Sequence, residues 1–249
     1  VKEVEVSQIQ VSLYSMDEAI HDYITQVKGS HKKTIRAIEK AISLDIPVQI
    51  SCPTMRANWA GYKDVMKWAH EHGIKAQTDF IIMGRSDNST DNLANRLTIE
   101  ETGLLINDIV KHSPNYAAHV NTIKELEKKD IPVNENRPVC GVGIDSIALA
   151  ANGDLYPCSG WQSKVLGNAK KDRLIDVWNN SPALNELRDL RMSSFKQCIT
   201  CPDRSFCAMR LVRNSNESGG DMMKINKHYC RVANVNRKVV ENYLKGIND

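Results

Sequence analysis

Six of the seven cysteines fall in one late stretch: Cys140, Cys158, Cys198, Cys201, Cys207 and Cys230. The Cys198-x2-Cys201 pair lets two thiolates grip one metal centre from a single turn. Cys207 and Cys230 complete a four-fold set, which is what iron–sulfur clusters require. Zinc accepts the same four thiolates, so spacing alone leaves both metals open. A disulfide framework is the weaker reading, because no secretory segment precedes these residues and reduced compartments keep thiols free. Gly153 makes a turn that folds Cys158 back towards the rest. Cys52 stands apart in an apolar strand and reads as a small core residue.

Other side chains carry chemistry less specifically. Asp79 ends a strand-like run and is a candidate proton acceptor or substrate ligand, against the common alternative of a satisfied strand-end carboxylate. Arg204, Arg210 and Arg213 surround Cys207, where they offset the charge of a thiolate-ligated cluster, bind an acidic peptide or form a solvated face. His228 reads as a loop histidine rather than a ligand, and the four tryptophans as core or edge residues.

The elements that must position these residues show two patterns. Up to residue 112, strand-like and helix-like runs alternate. Gln8 to Leu13, Pro47 to Cys52 and Lys75 to Met83 are strands. Thr34 to Ser43 is a helix with Ile35, Ile38 and Ile42 on one face. Gly61 to His72 is a second, with Tyr62, Val65, Met66 and Ala69 aligned. Thr98 opens a third with a Glu101 capping box and an apolar stripe of Ile99, Ile106, Ile109 and Val110. Three strand–helix units predict an α/β fold with a parallel sheet, at most a partial (β/α) barrel, since a closed barrel takes about 250 residues.

Residues 113–138, with Pro114, Pro132 and Pro138, read as a connection. Beyond it, Ile144 to Ala150 and Asp154 to Pro157 form a hairpin around Asn152-Gly153. Leu174 to Leu190 reads as one helix, 195–229 as ligand-bearing loops with a flexible turn at Asn214 to Asp221, and Val232 to Leu244 as a closing helix. The expected organisation is therefore 1–112, 113–138, a loop-rich α+β region over 139–234, and a terminal helix over 235–249.

Composition excludes little beyond this. The chain has 249 residues, 41% hydrophobic and 25% charged, with a net charge of +3 that does not argue for nucleic acid or an anionic membrane. No apolar run approaches the roughly 20 residues a membrane span needs. The chain opens without a signal peptide, which predicts the cytoplasm, and without Met, so it reads as a fragment or a processed product.

The cysteine order resembles that of the SPASM domain, the auxiliary-cluster extension of many radical S-adenosylmethionine (SAM) enzymes acting on peptides and proteins. That pattern is Cys-x(9–15)-Gly-x4-Cys, then Cys-x2-Cys-x5-Cys-x3-Cys, then a last Cys; six of its seven cysteine positions occur here in order and spacing. The flanking words Tyr156-Pro157-Cys158, Leu166-Gly167-Asn168, Val177-Trp178 and Leu187-Arg188 are similar too. In the first half, Val11 to Ser15, His21-Asp22 with Lys28-Gly29-Ser30, and Val48 to Asn58 resemble the later units of the radical SAM partial barrel.

The resemblance implies a C-terminal portion of a radical SAM enzyme that modifies a peptide or protein by cross-linking, epimerisation or oxidation. It implies SAM as cofactor, with Ser12 and Asn58 as candidate contacts. It also implies a reducing donor such as flavodoxin or ferredoxin, and one 4Fe–4S cluster at Cys198, Cys201, Cys207 and Cys230, with a second drawing on Cys140 and Cys158. Two departures stand out. The Cys-x3-Cys-x2-Cys motif of the SAM-cleaving cluster is absent, so this chain alone is not expected to cleave SAM. The seventh cysteine position is Leu211, which leaves the first auxiliary cluster short of a ligand; a single cluster recruiting Cys140 and Cys158 beside the Cys-x2-Cys pair is a further arrangement. The alternatives are a non-catalytic SPASM-type module that binds peptide or carries electrons, and a structural zinc domain.

Overall fold

In a computed structural model, residues 6–128 and 134–246 are described. Pro132, the opening residues 1–5 and the last three residues fall outside that range. The chain groups into two compact units, one running to Ile82 and including Ala94–Thr98, the other comprising Met83–Leu93 and everything from Ile99 onward.

The first unit is a three-stranded parallel sheet. Its strands are β1 (Ile9–Ser12), β2 (Val48–Pro53) and β3 (Lys75–Asp79), in the order β1-β2-β3. Helices α1 (Glu18–Thr25) and α2 (Ser30–Ile42) connect β1 to β2, and α3 (Tyr62–Glu71) connects β2 to β3. A parallel pair needs such a crossover, and the helix covers a sheet face in return. Val48, Ile50 and Cys52 alternate inward along β2, and Ile38 of α2 with Val65 and Ala69 of α3 are fully buried. β3 stops at Asp79, short of the expected Met83, because the Asp79 carboxylate accepts the Ile81 amide at 2.9 Å and turns the chain.

Helix α1 escaped the sequence reading, and it explains the His21-Asp22 word. The Asp22 carboxylate accepts from the Gly29 amide, the Ser30 hydroxyl at 2.9 Å and the His31 amide at 2.9 Å, so it satisfies the exposed N–H groups at the start of α2. The His31 amide bond contributes most to holding its pKa down at about 2. A lowered folded-state pKa stabilises above the unfolded value, and the gain is lost as pH falls through the folded one. Acid unfolding of wild type should therefore show a component between about pH 4 and pH 2 that Asp22→Asn lacks; superimposable acid transitions followed by circular dichroism would contradict this.

The second unit is built on helices. α4 (Ile99–His112) packs on the long C-terminal α10 (Lys227–Leu244), and Gly103 is what allows it, since a Cβ there would stand 3.0 Å from the Val235 side chain. The stretch read as a connection contains a helix, α5 (Pro114–Lys128). Its apolar residues are too sparse to show a stripe, yet Val120 joins Val110 and Val240 in a small core, and the Tyr116 hydroxyl donates to Asn236 at 2.7 Å.

The hairpin is present as β4 (Ala148–Leu149) and β5 (Asp154–Tyr156), with β6 (Gly167–Asn168) added to it. Gly153 turns it at φ +96°, a region that costs a Cβ-bearing residue dearly. The expected single helix over 174–190 is two, α6 (Leu174–Asn180) and α7 (Pro182–Asp189). Pro182 forces Ser181 into extended backbone, ψ 117°, and then starts α7 as its first residue while Ser181 caps it. Short helices α8 (Lys196–Ile199) and α9 (Leu211–Asn216) follow. No helix among the described residues is long and apolar enough to cross a membrane.

Candidate metal centre

Cys198 and Cys201 sit in and just after α8. Cys207 follows a single helical turn at Arg204–Phe206, and Cys230 stands in the first turn of α10. All four line one cavity, of about 90 Å³, together with Arg137, Val139, Met192, Arg204, Met209 and Arg210 among others. Among the described residues no three His, Cys, Asp or Glu converge to hold a single ion as they stand. Four thiols lining one cavity are a donor set that an iron–sulfur cluster or zinc accepts.

The electrostatics agree with four clustered thiols. Burial pushes the Cys198 thiol up, and Cys207, Cys230 and Cys201 push it further, against the pull of Lys227. Burial likewise raises Cys207; the Met209 amide opposes it, Cys230 and Cys201 add to it, and Arg210 opposes it. Each thiol must shed its proton to bind metal, so a bound cluster and nearby cations relieve what burial imposes.

One residue the sequence did not single out fixes this arrangement. Asp203, between Cys201 and Cys207, accepts from Arg237 Nε at 2.6 Å and from Asn234 Nδ2 at 3.2 Å, both on α10. The Arg237 and Asp203 side chains are largely buried, at 27% and 14% exposed, so the pair is worth more than an ordinary surface ion pair. It ties the loop bearing Cys201 and Cys207 to the helix bearing Cys230. Nothing in the local sequence announces a partner so distant in the chain.

Other expected residues have different surroundings. Cys140 and Cys158 do not line the cavity; both pack on a core of Val142, Trp161, Leu187, Phe195 and Leu211. Leu211 is 1% exposed, an apolar core residue at the seventh cysteine position. Arg213 donates to the Ala208 carbonyl and lies 5.7 Å over the Tyr229 ring, away from the cavity that Arg204 and Arg210 line. His228 is in the first turn of α10 rather than in a loop, edge-on to Tyr229. The supposed flexible turn begins inside α9: Asn214, Ser215 and Asn216 are buried, and Asn216 Nδ2 donates to the Gly84 and Gly160 carbonyls at 3.0 and 3.3 Å.

At the carboxyl ends of the parallel strands, where α/β sheets bind ligands, Ser12 and Asp79 are exposed. Asn58 is buried, and its side chain is committed to backbone: Nδ2 donates to the Tyr14 and Pro53 carbonyls at 2.7 and 3.0 Å, and Oδ1 accepts the Met55 amide at 2.7 Å. Those bonds make it the tie between the β1 and β2 exits. Cys52 is fully buried, and burial pushes its thiol up to about 12. A thiol reagent applied to native protein should leave Cys52 unlabelled until denaturant is added; labelling at the rate of an exposed thiol would contradict its burial.

Residues 140–202 match the SPASM domain, described as an iron–sulfur cluster-binding domain. Over that stretch the chain is similar to a SPASM domain. A search of curated proteins finds no sequence match. Among solved structures the chain is similar to native anSMEcpe with bound AdoMet and Kp18Cys peptide, at 13% identity and TM-score 0.65, covering 96% of this chain and 68% of that one. It is also similar to Streptococcus suis SuiB bound to S-adenosylmethionine, at 14% identity and TM-score 0.55, covering 89% of this chain and 53% of that one. The α/β chain with its small parallel sheet and helices thus shares the fold of these structures.

Proposed function

We propose that the chain is the C-terminal portion of a radical SAM/SPASM enzyme that modifies a ribosomally made peptide or protein by cross-linking, epimerisation or oxidation. The observation that carries this is the single cavity lined by Cys198, Cys201, Cys207 and Cys230 beside a SPASM match, in a fold shared with structures that hold AdoMet and a peptide. In this reading the four thiolates hold one 4Fe–4S cluster, which supplies electron transfer or a docking point for the peptide. Arg137, Arg204 and Arg210 set the charge around it and Asp203 fixes the ligand loop. The exposed strand ends at Ser12 and Asp79 face SAM or the peptide. A flavodoxin or ferredoxin reduces the cluster, and the protein works in the cytoplasm. Before Cys140 the only cysteine is the buried Cys52, so the three-cysteine set of a SAM-cleaving cluster is not among these residues.

The test is anaerobic purification with metal and sulfide analysis. About four irons and four sulfides per chain in a brown protein support the reading. A colourless protein with zinc and no sulfide makes it a structural zinc domain. Iron without a Cys-x3-Cys-x2-Cys motif encoded upstream leaves a peptide-binding or electron-carrying module in place of an enzyme.

A further inference from the structure

Glu217 sits just after α9 and takes hydrogen bonds from separate parts of the second unit. Its Oε1 accepts the Tyr229 hydroxyl at 2.6 Å and the Gly84 amide at 3.1 Å, and its Oε2 accepts Asn226 Nδ2. All of these partners donate, and an ionised carboxylate only accepts, so the side chain matches its surroundings. Two of the partners belong to the start of α10. Asn226 caps that helix, its Oδ1 accepting the His228 amide at 2.9 Å, and it lines the four-cysteine cavity. Tyr229 is fully buried and immediately precedes Cys230. Gly84 anchors the other side: its amide goes to Glu217 and its carbonyl accepts from Asn216 Nδ2, and a Cβ on it would stand 3.0 Å from Glu217 Cγ. Glu217 therefore grips the cap and the first turn of the helix that carries Cys230. The Arg237–Asp203 contact lies seven residues beyond Cys230 and holds a different part of the same helix.

We propose that Glu217 is the positioning residue for Cys230: by holding Asn226 and Tyr229 it sets the place from which the first turn of α10 presents the Cys230 thiolate to the cavity. The inference rests on the cluster reading of that cavity. The donor and acceptor directions make the role testable, because they can be reversed. Glu217→Gln sets a donor against Asn226 Nδ2 or against the Gly84 amide. Asn226 cannot turn its own amide round without giving up the His228 amide. Asn226→Asp keeps the cap but sets two carboxylates against each other. Together the two changes restore the set: the new amide at 217 donates to the new carboxylate at 226, that carboxylate still caps α10, and the net charge is that of the wild type.

The experiment uses the whole chain, loaded anaerobically with iron and sulfide, and follows iron release to a colorimetric chelator. Each single variant should release iron about 10–100-fold faster than wild type, the range for losing a group that orients a metal ligand. The Glu217→Gln/Asn226→Asp double variant should release it more slowly than either single one. Glu186→Gln, which removes an exposed carboxylate paired with Lys164, should leave the rate unchanged. The dithionite-reduced cluster of Glu217→Gln should also show an altered electron paramagnetic resonance spectrum, while circular dichroism of the metal-free chains stays that of the wild type. Release from Glu217→Gln at the wild-type rate, an unaltered spectrum, or a double variant no slower than the singles overturns the proposal. So does a metal-free single variant that has unfolded, which would make Glu217 a residue of the fold at large. A wild-type chain that takes up no iron refutes the cluster reading alone. The alkylation rate of Cys230 in the metal-free chains then decides the positioning: a rate changed in both singles and restored in the double supports it, and one rate throughout overturns it.

Discussion

Cys207→Ser should lower iron from about four per chain to less than about one after anaerobic reconstitution, with sulfide lost in parallel. Cys207 leaves its helical turn in extended backbone, directed to the same cavity as Cys198, Cys201 and Cys230. A serine oxygen is a harder, poorer ligand for iron and stays protonated where a thiol would ionise. The Arg237–Asp203 contact holds the loop in place with or without metal, so the variant should keep its helical circular dichroism. The matched control is Cys52→Ser, which alters a thiol outside the cavity and should leave iron unchanged. Retention of full iron and sulfide by Cys207→Ser would show that the cluster, if present, lies elsewhere.

Leu211→Ala should destabilise the second unit by about 2–5 kcal/mol, the range for truncating a buried leucine whose surroundings cannot collapse. Leu211 touches the core of Val142, Trp161, Leu187 and Phe195, and the rigid indole and phenyl rings give the cavity little room to close. Urea unfolding followed by tryptophan fluorescence reads the effect, because Trp161 lies in that core. A change below about 1 kcal/mol would mean that Leu211 is not packed as described. Leu211→Cys is the informative companion. If the position only replaces a ligand, the added thiol should raise iron content; if it has become core, the variant loses stability and gains no iron.

Legibility of these features in the sequence followed the range of the interactions behind them. The four cavity cysteines were readable because a Cys-x2-Cys pair and its companions meet a metal through local turns. The parallel sheet was readable because Val48, Ile50 and Cys52 alternate inward and the helix faces repeat. The break at Ser181-Pro182 is written in the proline, which interrupts an otherwise helical run. Other features have no local signature. Asn216 looks like a turn residue until the Gly84 and Gly160 carbonyls are brought to it from far along the chain. Asp203 and Arg237 pair across 34 positions. Leu211 was visible as a missing cysteine, but its place in the core depends on side chains from four separate segments.

Helix α10 has two attachments: Cys230 at its start faces the ligand cavity, and Val240 near its end closes a core with Val110 and Val120. In the cluster reading, metal binding adds to the seating of this helix that the Arg237–Asp203 contact already provides, since ligation energy is also folding energy. Cells short of iron would then hold less of the protein as well as less of its active form, because chains whose last helix is held less firmly open more often to proteases.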